Sequence, residues 1–281
     1  MRVISLGSGS SGNALLVEAG PRGRTKLLVD AGFTARVLIN RLRQIGVSPA
    51  QLTGILITHE HIDHILGLPS LMKQHALPVM TDPLTIEAIQ HAFTEDKVST
   101  DSLFQALPSD SYTLIGDIEV TSFPVSHDAV APCGFLLSAG GCRVCVTIDT
   151  GEVSSAMLEM MRQADLLILE SNHDRERLLR GPYPYMLKQR ILGATGHLSN
   201  DQAAEAVLRT WRDDAVRWLW LSHLSRTNNT PQLALNTMRA RISEAGANPA
   251  QAHITVLSQH MGGIWDSTQL WHSPTLWEMQ G

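Results

Sequence analysis

The sequence predicts a layered α/β fold, with sheets covered by helices, built as one domain over residues 1–265 with a tail at 266–281. Three observations lead there. The chain opens on hairpin-like apolar runs and then alternates strands with helices. The second half repeats that rhythm, although no sequence repetition is detectable. A length of 281 residues, 43% hydrophobic and 17% charged, is enough to bury one large core without disulfides.

RVISLG, NALLVEAG and TKLLVDAG are the opening strands, joined by short turns. Thr34 stands where a cap opens a helix through RLRQI, which Gly46 ends. GILITH is a strand, 65–75 and 83–93 are helices, and PVMTD between them is a strand. SYTLIGDIEVTSFPVSH and GFLLSAGGCRVCVTID each set a glycine-containing turn between two strand-like runs, and Gly140-Gly141 marks the second tip. A helix over 154–164 and strand DLLILES follow. Ser199, with Gln202 in capping-box spacing, opens a helix. Strand VRWLWLSH, a helix from Pro231 to Gly246 and strand HITVLS complete the series. Segment 173–196 breaks the rhythm and is read as an inserted loop with a short helix. Trp271 and Trp277 sit in a tail without caps or period.

Composition excludes several classes. No run approaches the roughly 18 apolar residues of a membrane-spanning helix, and MRVISLGSGSSGNALL turns glycine- and serine-rich before a signal segment could form. A cytoplasmic protein is expected. Its 22 Lys+Arg against 27 Asp+Glu give -5, so any grip on a polyanion must be local. Three cysteines cannot pair fully, which suits a reducing compartment. Cys142 and Cys145 have C-x-x-C spacing but fall on a strand, where side chains three apart point to opposite faces, so they are read as ordinary core and surface thiols.

Polar residues fall in a pattern. LLVD ends at Asp30, ILITH at His59, FPVSH at His127, VTID at Asp149, LILE at Glu170 and WLWLSH at His223. Six apolar strands thus deliver an ionisable residue to their C-terminal ends, where layered α/β folds bind ligands. After strand GILIT comes His59-Glu60-His61-Ile62-Asp63-His64, an H-x-H-x-D-H run. Imidazole and carboxylate are ligands for zinc, manganese or iron. His61 and His64 diverge along so short a turn that two metal ions are the natural solution.

This cluster after a strand, with Asp30 upstream and His127, Asp149 and His223 at later strand ends, resembles the metallo-β-lactamase fold superfamily over roughly residues 1–265. The resemblance implies an αβ/βα four-layer sandwich with a dinuclear site at the shared edge of its two sheets. By motif, His59, His61 and His127 would bind the first metal, and Asp63, His64 and His223 the second. Asp149 would bridge the two, and Asp30 would support the loop by hydrogen bonds. Lactamase members carry Cys where Asp149 stands, and flavo-diiron relatives carry Glu where His61 stands, so neither activity is expected.

ADLLILESNHD with Glu170 and GHLSNDQAAEAV with His197 resemble paired motifs of the tRNA 3′-processing branch. LGSGSSGN, ESNHD, GHLSN and HLSRTNN together resemble the WalJ-type (YycJ-type) exonuclease branch. There is neither a basic glycine-rich arm for gripping tRNA nor the extra domain of RNA 3′-end cleavage relatives. The resemblance implies a hydrolase with two divalent ions, zinc or manganese, that cleaves phosphodiester bonds, as a nuclease on DNA in preference to RNA. Two divalent ions, Asp63, Asp149 and a bridging hydroxide leave the inner shell at roughly +1, a cationic pocket in an acidic protein. The hydroxide would attack phosphorus, with Asp63, His197 and Glu170 as catalytic candidates and His197 contacting the phosphate or protonating the leaving oxygen. The rival readings are a thioester or lactone hydrolase, a phosphodiesterase for a small cyclic phosphodiester, and a metal-stabilised binding protein.

The remaining signals are weaker. Loop 7–13 could offer backbone N–H groups to a phosphate but lacks the Gly-Lys-Ser/Thr ending of a P-loop, and reads rather as a plain tight turn. Segment 173–190 holds Arg175, Arg177, Arg180, Lys188 and Arg190 with Tyr183 and Tyr185, either a polyanion contact with stacking tyrosines or a solvated face. His173, Asn228 and Asn229 are candidate substrate contacts. The sequence leaves the oligomeric state open.

Overall fold

Strand residues here alternate between two dry environments. In β1 (Arg2–Gly7), β2 (Ala14–Ala19) and β3 (Thr25–Val29), Val3, Val17 and Leu27 face one apolar core while Ile4, Leu16 and Leu28 face another. Sheets buried on both faces need a cover on each. The structure, a computed structural model describing residues 1–93, 101–108, 111–213 and 215–270, supplies those covers.

The first sheet adds β4 (Gly54–Leu56), β5 (Val79–Thr81), β6 (Phe104–Ala106) and β14 (Ile264–Asp266), in the order β14-β1-β2-β3-β4-β5-β6. The second comprises β7 (Tyr112–Ile115), β8 (Ile118–Pro124), β9 (Cys133–Ala139), β10 (Cys142–Thr147), β11 (Leu166–Glu170), β12 (Arg217–Ser222) and β13 (Ala252–Val256), in the order β13-β12-β11-β10-β9-β8-β7. In each sheet antiparallel hairpins lead into parallel strands, from β3 onward in the first and from β10 onward in the second. This is the repeated rhythm of the sequence.

One core lies between the sheets, joining Val17 and Leu27 to Phe135, Val146 and Trp220. A second lies under α1 (Ala35–Gln44), α3 (Leu68–His75) and α4 (Pro83–Ala92), through Leu38, Leu71 and Ile89. A third lies under α5 (Ser155–Gln163), α8 (Asn200–Arg209) and α9 (Pro231–Glu244), through Met157, Val207 and Met238. The layers are αβ/βα, as expected.

Capping follows the sequence signals at α8, where Ser199 and Gln202 form the capping box, and at α9, where Thr230 accepts from the Leu233 N–H. Thr34 precedes α1 but makes no side-chain cap bond. The helix expected over 65–75 is divided into α2 (Ile62–Ile65) and α3, because the Gly67 N–H is drawn to the Ala31 carbonyl at 2.8 Å. Segment 173–196 holds two short helices, α6 (Arg175–Arg180) and α7 (Tyr185–Leu192). Strands β6 and β14 were too short, at three residues each, to show a period. β14 pairs with Arg2–Ile4, and Trp271 and Trp277 lie outside the described residues. Among the described residues no helix is long and apolar enough to cross a membrane.

Cys142 enters the core between the sheets and Cys145 the core under the helices, the opposite faces expected of a strand. With Cys133 they are free and buried, so no surface thiol is found. Burial pushes the Cys145 thiol up to about 12. Iodoacetamide at pH 8 should therefore label none of the three in the native protein and all three in denaturant, as counted by mass spectrometry. Rapid native labelling would contradict this packing.

β12 begins with a buried Arg217, whose guanidinium donates to the Thr210 carbonyl (2.7 Å), to Thr210 Oγ1 (2.9 Å) and to the Met161 carbonyl. These acceptors lie at the C-terminal ends of α8 and α5, where a cation also meets the helix dipole. Arg217→Met should cost roughly 1.5–3 kcal/mol in urea unfolding, through lost charge-assisted bonds. An unchanged midpoint would show that Arg217 ties nothing together.

Candidate metal centre and its pocket

The ionisable residues at the strand ends converge on one edge of the sandwich. Asp30 follows β3, Asp149 follows β10 and His223 follows β12, and all three adopt left-handed backbone angles, φ 60°, 59° and 53°. Non-glycine residues hold that conformation only when their surroundings demand it. The demand is visible in hydrogen bonds. Asp30 accepts from the Thr58 N–H (2.9 Å) and hydroxyl (3.0 Å), and its Oδ2 lies 2.8 Å from His64 Nδ1. The His223 N–H donates to Ser8 Oγ at 2.9 Å. Loop 7–13 accordingly braces the strand ends. Its Gly9 and Gly12 N–H groups bond to Asn13 Oδ1 and to the Gly9 carbonyl, and the Asn13 N–H donates to the Asp63 carbonyl at 2.9 Å.

Three groups of candidate ligand atoms result, each group lying within 4.8 Å of one another: His59, His61 and His127; Asp63, His64, Asp149 and His223; and Asp149, Glu170, His197 and His223. Asp149 stands between the first two, with Oδ2 2.7 Å from His64 Nε2 and 3.6 Å from His59 Nε2, and its Oδ1 lies 2.7 Å from His223 Nδ1. His127 Nδ1 faces the Gly196 carbonyl at 3.1 Å.

Burial and mutual charge shift these groups apart. Burial and the nearby His64 push His59 well below the ordinary imidazole range. Burial also lowers His127. For His64 burial acts downward, but the carboxylates of Asp30, Asp63 and Asp149 raise it above that range. For Asp149 burial acts upward, and the imidazoles of His223, His197 and His64 hold it well below the usual carboxylate range.

The donor set fits divalent cations. It is made of imidazoles and carboxylates, and the buried Nε2 atoms of His59 and His223 have no hydrogen-bond partner. Buried polar atoms are rarely left so, and two on one edge point to a missing cationic partner.

A cavity of about 260 Å³ opens over this edge, lined by His61, Asp63, His127, Asp149, His197 and His223 of the expected residues. Four candidates for catalysis or substrate contact do not line it. Glu170 is fully buried and spends its carboxylate on the Thr150 and Leu198 N–H groups and on the rings of His197 (2.7 Å) and His223 (3.0 Å). Its bonds hold these two imidazoles in place, and it does not itself line the cavity. His197 is the half-buried member of that pair, and against the effect of burial Glu170 and Asp149 raise it to about 10.

His173, Asn228 and Asn229 are likewise buried and do not line the cavity. Asn229 donates to the Ser171 carbonyl (2.9 Å) and to Asn200 Oδ1 (2.8 Å), clamping the loop after β11 to α8. Burial lowers His173 to about 4, a neutral imidazole. The cavity is instead lined by Asn172 and Ser225, each two residues beyond a strand-end ligand, and by Ser10. The motifs ESNHD and HLSRTNN already contained Asn172 and Ser225, and only the turn after each strand decides which member faces inward.

Residues 25–223 match the beta-lactamase superfamily domain. The exodeoxyribonuclease WalJ of Streptococcus pneumoniae is 38% identical over 242 residues, 85% of this chain and 87% of that protein. The exodeoxyribonuclease YycJ of Bacillus anthracis is 37% identical over 247 residues, 88% of this chain and 91% of that protein. In three dimensions the chain is similar to the metallo-β-lactamase fold protein YhfI of Bacillus subtilis, with a TM-score of 0.71 and 21% identity over 94% of this chain and 99% of that one. Two helix-covered sheets with clustered histidines and carboxylates at their shared edge, and a sequence match across most of the length, have one consequence: this chain belongs to the metallo-β-lactamase superfamily, alongside the WalJ and YycJ proteins.

Proposed function

We propose that this chain is a metal-dependent exonuclease that hydrolyses phosphodiester bonds in DNA. The observation that carries the reading is the pairing of His197 with Glu170 beside Asp149 and His223, in a cavity whose floor is the candidate metal centre. The identity to proteins named exodeoxyribonucleases supports the DNA substrate. His59, His61 and His127 would hold one divalent ion, Asp63, His64 and His223 a second, and Asp149 would face both, with zinc and manganese each suited to the donors. Bound there, such ions supply phosphate charge neutralisation and water activation.

The chain's own residues account for the rest. Asp30 and Thr58 fix the His64 ring, and Glu170 fixes His197 and His223. His197 lines the cavity and can hand a proton to a leaving oxygen, a role worth about 10²–10⁴-fold. Three free, buried thiols support a reducing, cytoplasmic setting.

The test is turnover of end-labelled single- and double-stranded DNA and of RNA, with manganese or zinc and with a chelator. Shortening of DNA from an end, stopped by the chelator, is expected. Intact DNA with metal confirmed bound would overturn the reading. Chelation should also lower the melting temperature, since an ion at 100 times its Kd stabilises by about 2.7 kcal/mol, and added metal should restore it. Scanning calorimetry with no shift would remove the metal centre from the proposal.

A further inference from the structure

The arm formed by α6 and α7 contributes to the cavity in a way the mechanism above does not use. Four of its five cations are separated by their contacts. Arg180 reaches Glu176 at 3.6 Å, Arg177 Nε donates to the Thr227 carbonyl at 3.2 Å, and Lys188 Nζ donates to the Leu179 carbonyl at 2.7 Å. Among the described lysines and arginines, Arg190 alone lines the cavity. The tyrosines separate in the same way: Tyr185 is 72% exposed and away from the cavity, whereas Tyr183 is half-buried and lines it with Leu187 and Ile191.

One wall of the site is therefore an aromatic ring with two aliphatic side chains, ending in a guanidinium. Across the cavity lie the candidate metal ligands. Arg190 is held by Asp128, whose Oδ2 is 2.5 Å from Nε, and Asp128 Oδ1 is 3.3 Å from His127 Nε2. The pair ties the arm to the loop carrying a candidate metal ligand. A cavity of about 260 Å³ lies just below the usual range of ligand sites, roughly 300–1,000 Å³, and suits one nucleotide rather than a duplex.

We infer that this wall is the subsite for the terminal nucleotide, with Tyr183 stacking on the base and Arg190 binding phosphate. The inference rests on the exonuclease reading and adds the residues that recognise the strand end. Stacking is tolerant of base identity, so the subsite selects nucleotides without selecting sequence. Arg190 exchanges Asp128 for the phosphate when substrate arrives, which provides the local cation that the net charge of -5 denies the surface as a whole.

The experiment compares wild type, Tyr183→Ala and Arg190→Gln, each checked for an unchanged melting temperature, on single-stranded DNA with natural ends and on the same strand with abasic residues at both termini. Tyr183→Ala should raise KM about 10-fold or more on natural ends and leave it unchanged on abasic ends, where the stacking partner is already absent. Arg190→Gln should raise KM on both. Equal KM for wild type and Tyr183→Ala on natural ends, or equal losses on natural and abasic ends, would overturn the subsite. If wild type cleaves neither strand, the exonuclease reading fails on its own. The subsite is then judged by calorimetric binding of deoxyadenosine monophosphate to the manganese-loaded protein, where both variants must bind about 10-fold more weakly and equal binding overturns it.

Discussion

Asp149→Ala should abolish DNA cleavage, lowering kcat/KM by at least about 10³-fold, or roughly 4 kcal/mol of transition-state stabilisation. The expectation follows from the position of Asp149. Its carboxylate lies 2.7 Å from His64, 2.7 Å from His223 and 3.6 Å from His59, between the two candidate ion sites. Removing it leaves those imidazoles gathered around no anion and takes the shared ligand from both ions. Metal content by mass spectrometry should fall with activity. Asp149→Asn keeps the shape but not the charge and should lose activity to a similar degree, because anionic character is what two neighbouring cations require. A variant that keeps a tenth of wild-type kcat/KM with full metal content would show that Asp149 is not the shared ligand.

Gly32→Ala should unfold the loop that presents the H-x-H-x-D-H cluster. A β-carbon at position 32 would sit 1.6 Å from the Asp63 carbonyl oxygen and 2.7 Å from the Asn13 N, both main-chain atoms. Neither can yield alone, because the Asn13 N–H donates to the Asp63 carbonyl and the Gly32 N–H donates to the Asn13 carbonyl. Relieving the overlap means separating three strands of loop, a cost of roughly 3 kcal/mol or more, at or beyond the upper range for overpacking. Urea unfolding measures it, and metal affinity should fall with it because Asp63 moves. Gly262→Ala is the comparison, since nothing lies within 4 Å of a β-carbon there, and it should change the midpoint little. Equal midpoints for the two variants would mean that loop 30–32 is more yielding than its bonds suggest.

Much of the architecture was legible because strands buried on both faces write near-continuous apolar runs such as LLVD and LILE, and glycine, proline and capping residues punctuate them. The candidate centre was legible for a related reason. A strand end is where apolar pressure stops, so an Asp, Glu or His placed there six times stands out. What lay beyond reach depends on contacts distant in sequence. Nothing local says that Glu170 is sealed by the Thr150 and Leu198 N–H groups, that Asn229 is consumed by Asn200, or that Gly67 interrupts a helix to reach Ala31. Nor does composition distinguish Tyr183 from Tyr185, because the turn at Pro184 that opens α7 decides which ring enters the cavity.

The left-handed corners at Asp30, Asp149 and His223 set a conflict between durability and work. Each holds a side-chain-bearing residue in a conformation that costs of order 1–3 kcal/mol and that glycine adopts freely. A library of this gene selected for heat resistance alone, without demand for turnover, would drift toward glycine at all three corners. The chain would gain backbone ease and give up the side chains that face one another across the sheet edge. Engineering for robustness should therefore leave those corners untouched and look instead to the helical layers.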